Sequence, residues 1–143
     1  MIAGMKPTLR LTLAAAALAA LALPLGLAAA QTGAPYMVVQ TGQHFGRLQD
    51  AVNAIGGGTG TIRIAPGRFG DCAVQVAGTI TYSAETPGQS VFDGVTCEGK
   101  AALVLRGTAA RVEGLVFANM RVADFNGAGI RLEHGSLAIN QSW

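Results

Sequence analysis

A repeat constrains this chain more than any other feature. Beyond Gly60 the sequence runs through short β-branched segments separated by glycine or polar residues: TIRIA (61–65), AVQVA (73–77), TITYSA (79–84), SVFDG (90–94), ALVLRG (102–107), ARVEG (110–114), LVFAN (115–119), GIRLE (129–133) and SLAIN (136–140). Their composition and alternation read as strands. Matching positions recur at about 27 residues: Ile64 with Val91, Gly67 with Gly94, Val76 with Leu103 and Ile130, Leu105 with Leu132, and Val112 with Ile139. A period of this length implies stacked units, none of which buries its apolar face alone. About three short strands per period, joined by glycine or polar corners, suit a hairpin array poorly, because the one Asn-Gly, Asn126-Gly127, sits in a longer link. The pattern therefore predicts an all-β fold, a parallel β-helix in which each period is one coil and stacks such as Val76/Leu103/Ile130 form the core.

Ahead of the repeat the period changes. Phe45, Leu48, Ala51, Val52 and Ile55 share one face of a helix of about three turns, and Gly56-Gly57-Gly58 stops it. Such an amphipathic helix is expected to cover the open N-terminal end of the coil stack, where bare strand edges would otherwise recruit other chains. Residues 31–43 read as a linker followed by a brief strand at Met37-Val38-Val39. The glycine run 56–60 follows a helix and lacks the Gly-Lys-Ser/Thr ending of a phosphate loop.

Residues 1–30 read differently. Lys6 and Arg10 precede an Ala/Leu run from Leu11 to Leu23, which ends at Pro24 and Gly26 before Ala28-Ala29-Ala30. This is the pattern of a secretory signal peptide cut between Ala30 and Gln31; the apolar run has 13 residues, against about 20 for a membrane span. Removing 30 of 143 residues leaves 113, with no stable membrane anchor and a periplasmic or secreted destination. Lys6 and Arg10 leave with the peptide, so eight basic residues face eight acidic ones. That balance, without a Lys/Arg cluster, argues against a nucleic-acid partner. Cys72 and Cys97, 25 residues apart and close to one coil, are expected to form a disulfide between neighbouring coils. Two cysteines with two scattered histidines, His44 and His134, do not supply a zinc site.

The stretches FGRLQDAVNAI, Thr61-Ile62-Arg63-Ile64-Ala65-Pro66-Gly67-Arg68-Phe69 and Val112-Glu113-Gly114-Leu115-Val116-Phe117-Ala118-Asn119 resemble the opening of the pectin-lyase-like superfamily. The resemblance implies a right-handed parallel β-helix with an N-terminal cap helix, covering the chain from Phe45 onward. Its motifs build scaffold, and the superfamily hosts lyases, hydrolases, esterases, epimerases and adhesive proteins, so fold does not choose a reaction. It also implies more coils than are present. In the 27-residue register Ile139–Trp143 matches Val112–Val116, and the chain reads as the N-terminal piece of a longer protein, able to self-associate through an uncapped final coil.

No catalytic residue is assigned. The acids Asp71, Asp93, Glu98, Glu113, Asp124 and Glu133 do not share the repeat's spacing, and calcium, which the resemblance implies only for a lyase, needs six to eight converging oxygens. The paired acids and Gly-His-Gly of polygalacturonases are missing, Glu133-His134-Gly135 being the nearest echo and better read as a surface corner. No G-x-S-x-G elbow occurs. Arg106 and Glu133, 27 apart, are expected to pair between coils, although an arginine in a groove could also meet a sugar carboxylate. Asn119 is a candidate for an interior asparagine ladder. Phe69, Phe92 and Phe117 read as core or corner stacks in preference to a sugar platform, and Tyr82 and Phe125 as the exposed aromatic pair. The reading is an exported β-helix protein related to surfaces or polysaccharides, with polysaccharide as partner and no cofactor identified. The alternatives left open are the start of a carbohydrate-active lyase or hydrolase with catalytic coils past Trp143, and a non-catalytic glycan-binding protein.

Overall fold

The computed structural model describes residues 33–143 and, ahead of them, Gly4 alone; the expected signal peptide and its cleavage site lie outside the described residues. The elements run β1 (Tyr36–Val38), β2 (Gln43–Phe45), α1 (Leu48–Ile55), β3 (Thr59–Ile64), β4 (Gly67–Phe69), β5 (Ala73–Gln75), β6 (Thr79–Ala84), β7 (Ser90–Asp93), β8 (Ala101–Leu105), β9 (Ala109–Glu113), β10 (Leu115–Ala118), β11 (Ala128–Leu132) and β12 (Ser136–Asn140). Among the described residues every regular element apart from α1 is a strand, and from β3 onward every pairing between them is parallel.

The strands form three sheets, ordered β12-β9-β6-β3-β1-β2, β10-β7-β4 and β11-β8-β5. From β3 the chain visits them in turn, so each strand pairs with the one three elements later. Three circuits result (β3–β5, β6–β8, β9–β11), and β12 lies on β9 in the first sheet. Beyond it, the Phe117 amide donates to the Trp143 carbonyl at 2.7 Å and the Trp143 amide to the Leu115 carbonyl at 2.9 Å, which sets Trp143 opposite Val116. Leu132, Ile139 and Trp143 on this side are exposed.

The expected period holds in part. Leu103 pairs with Ile130, Leu105 with Leu132 and Val112 with Ile139, each at a step of 27. The first two circuits depart from it: Thr59 pairs with Thr79, a step of 20, and Ala73 with Leu103, a step of 30. Ile64 therefore meets Ala84 and not Val91, and Gly67 meets Ser90 and not Gly94. Val76 drops out of the expected Leu103/Ile130 stack and is 70% exposed; Ala73 takes its place. Links of unequal length cause the drift. Between the second and third sheets they lengthen from 70–72 to 94–100 to 119–127. At the corner from the third sheet to the first they keep three residues: 76–78, 106–108 and 133–135.

Inside the circuits Ile62, Ile64, Ile80, Leu103, Leu105, Val112 and Leu115 are buried. Phe69, Phe92 and Phe117 fall in register and stack with centroids 5.7 and 5.8 Å apart, and Tyr36 of β1 adds a ring 5.5 Å from Phe69. Offset and tilted pairs at these distances are favourable beyond the area they bury. Tyr82, expected at the surface, is fully buried between Ile62 and Val112, and its hydroxyl donates to Gln75 Oε1 at 3.1 Å. The alternation of Thr79-Ile80-Thr81-Tyr82 places it on this face, beside Ile80.

The N-terminal end is closed by more than a helix. Residues 36–45, expected as linker, brief strand and helix start, form the antiparallel pair β1–β2, and β1 runs antiparallel to β3. The helix is shorter than three turns, starting at Leu48 because Phe45 pairs with Tyr36 in β2. It buries Leu48, Ala51 and Val52 and ends at Gly56, whose φ of 58° suits glycine. Gln49 completes the seal. Its Oε1 accepts from the Val74 amide at 2.7 Å and its Nε2 donates to the Val74 carbonyl at 3.0 Å, so one side chain stands where a neighbouring strand would pair with β5. Gln40 likewise accepts from the Thr61 amide at 2.9 Å.

Candidate functional site

The constant three-residue corner positions the candidate site. Its short links force successive circuits close together, and glycine follows: at Gly135, with φ 81°, a Cβ would collide with the Gly107 and Thr108 carbonyls, and at Gly78 with those of Gly56 and Gly58. The result is a trough of about 450 Å³ along the stacking direction, bordered by Val76, Gly78, Arg106, Thr108 and His134. The Glu133-His134-Gly135 echo is thus a surface corner, with His134 exposed at the rim.

Arg106 follows β8 and Glu133 follows β11, and the Leu105–Leu132 register sets them side by side. They pair as expected, Nε to Oε2 at 2.6 Å. Two further residues, not foreseen from spacing, join them. Glu98 takes both terminal nitrogens of Arg106, one at 3.0 Å and the other in shorter contact, while Lys100 reaches Glu133 at 2.6 Å and Glu98 at 3.5 Å. A tight turn, with Glu98 at φ 54° and Gly99 at φ 61°, brings them there, and no helical or strand period announces such a turn.

All four side chains keep 27–40% of their exposure, so water screens each pair and the cluster adds little to stability. Hydrogen bonding to Arg106 holds the Glu98 carboxyl below its ordinary range; Lys100 first and Arg106 second do the same for Glu133. The two carboxylates push the Arg106 pKa up. Two carboxyls flank one guanidinium, and its hydrogen bonds favour the ionised form of both.

The Cys72–Cys97 disulfide forms as expected, with Cα atoms 5.5 Å apart, and ties link 94–100 of the second circuit to link 70–72 of the first. Closing 25 residues in the unfolded chain is worth about 3 kcal/mol in the chain-entropy account.

The remaining acids go to separate tasks. Asp71 accepts from the Leu48 amide at 2.8 Å, capping the helix in place of Arg47, whose side chain makes no cap bond. Asp93 binds Asn119 at 2.7 Å and Arg68 at 2.6 Å, and both contacts depress its pKa. Asn119 is therefore an exposed corner residue, at φ 56°, and not part of an interior ladder. Glu113 pairs with Arg111 at 3.3 Å, and Asp124 accepts from the Asn126 amide. Among the described residues no three His, Cys, Asp or Glu side chains gather as a metal site. Phe125 is 95% exposed, as expected. No helix among the described residues is long and apolar enough to cross a membrane. Comparison with family models, with curated proteins and with solved structures finds no match.

Proposed function

We propose that this chain is an exported right-handed parallel β-helix whose trough along the three-residue corner binds polysaccharide. The observation that carries the reading is the trough itself: a groove across successive corners, lined by Gly57, Gly78 and Gly107 and edged by Arg106, His134 and the exposed Val76. An extended ligand lies along such a groove, and arginine's planar fork matches a carboxylate. The three sheets visited in turn support the β-helix, and the disulfide suits an oxidising compartment.

A panel of neutral and acidic polysaccharides, titrated against the ¹⁵N-labelled chain and against its Glu98→Ala variant, in which the Arg106 fork is free, tests it. The expected result is shifts confined to residues 76–78, 106–108 and 133–135. Shifts elsewhere, or none with any polysaccharide, refute the reading. Self-association through the β10, β11 and β12 edges is a further expectation, read from concentration-dependent sedimentation.

A further inference from the structure

Arg106 borders the trough, and this chain's own carboxylates occupy its guanidinium. Glu133 takes Nε, and Glu98 covers the outer edge through both Nη1 and Nη2, the two-pronged grip that an anionic ligand would adopt. Glu98 does not belong to the corner. It sits on link 94–100, which turns back at the start of β8, where the Cys97 amide donates to the Ala101 carbonyl at 2.8 Å. Cys97, the residue before Glu98, is bonded to Cys72. Apart from that bond the middle of the link is held by partly exposed ion pairs and the Cys97–Ala101 bridge, while its two ends are pinned by backbone bonds, the Gly94 amide donating to the Ala118 carbonyl at 2.9 Å and the Ala128 amide to the Lys100 carbonyl at 3.0 Å.

We propose that link 94–100 is an autoinhibitory strap: Glu98 fills the Arg106 fork as an internal stand-in for an anionic ligand, and the Cys72–Cys97 disulfide latches it there. The identity of the natural ligand rests on the trough reading above; the strap does not. A dithiol reductant opens the latch by thiol–disulfide exchange. The Cys72–Cys97 bond breaks, each sulfur gains one electron and one proton, and the reductant closes into its own disulfide. The strap then leaves and Arg106 loses Glu98.

The test follows the Arg106 Nε–Hε resonance of the full chain during titration with inorganic sulfate, in three states: oxidised, reduced with dithiothreitol, and oxidised Glu98→Ala. Removing the internal competitor is expected to lower the sulfate concentration for half-maximal shift by about fivefold or more in the second and third states. Amides 95–99 of the reduced chain are expected to exchange about tenfold faster, with β7 and β10 unchanged. An identical sulfate response in Glu98→Ala and the parent overturns the proposal, as does an absent response in all three states. Loss of protection throughout the chain on reduction also overturns it, since the disulfide is then a staple and not a latch. If sulfate reaches Arg106 in Glu98→Ala while no polysaccharide does, the strap stands and the trough reading falls.

Discussion

Gln75 is 1% exposed and ties two sheets together. Its Nε2 donates to the Gly78 and Ala109 carbonyls at 3.0 Å each, and its Oε1 accepts from Tyr82. Gln75→Leu keeps the volume and removes all three bonds. The Gly78 carbonyl still has the Thr108 amide at 2.8 Å, so the main damage falls on the Tyr82 hydroxyl, stranded in an apolar interior. An orphaned buried hydroxyl and two lost amide bonds together cost about 3 kcal/mol. Tyr82→Phe alone leaves one amide oxygen short of a donor, about 1 kcal/mol. In the double variant there is no hydroxyl to strand, so the loss should be about 2 kcal/mol, a coupling of about 2 kcal/mol. At about 4 °C per kcal/mol for a domain of this size, Tm should fall by about 12, 4 and 8 °C in the three variants. Thermal unfolding followed by far-ultraviolet circular dichroism on oxidised protein measures all four. Additive losses, with the double variant down by about 16 °C, would refute the claim that Gln75 acts mainly as the partner of Tyr82.

Gln49→Ala should cost about 1–2 kcal/mol and speed hydrogen exchange at Val74, because β5 loses its surrogate neighbour; unchanged Val74 exchange contradicts the seal. Gly135→Ala forces a Cβ against two carbonyls at positive φ and should destabilise by about 2 kcal/mol or more in urea unfolding, so a neutral result would show that the corner can relax. Glu98, Glu133 and Asp93 all have folded pKa values below their ordinary 4.5 and 3.8, so their stabilisation is complete above those values and is lost as pH falls through the depressed ones. Tm should therefore hold steady from neutral pH to about 5 and decline below about 4, with a shallower decline in Glu98→Gln/Glu133→Gln; identical profiles would remove the network from the acid response.

Much of the scaffold is legible in the sequence because it depends on period and alternation. A spacing of 27 finds the partners of Leu103, Leu105 and Val112, whereas the single column that Phe69, Phe92 and Phe117 form, at steps of 23 and 25, emerges only from the pairing. The same spacing misassigns Ile64, Gly67 and Val76, because links in the first two circuits vary in length and only pairing fixes where each strand re-enters. Tyr82 is misplaced when its hydroxyl is weighed over its position in the alternation. Arg106 with Glu133 is visible as a one-coil offset, whereas Glu98 and Lys100 reach the cluster through a local turn without periodicity. Gln49, Gln40 and Asp71 act on backbone groups far along the chain, contacts that a single sequence does not encode in any spacing.

The three corners differ in what they would tolerate. A residue added within 106–108 and carried into β9 would shift that strand by one, turning Val112 outward and Arg111 inward against β6 and β12. The links at 85–89, 94–100 and 119–127 already differ from those of neighbouring circuits while the ladders between β6, β9 and β12 stay in step. The molecule thus has a bound spine and margins of variable length: new loops, tags or epitopes belong at 85–89 and 119–127, and the spine is where length itself is under constraint.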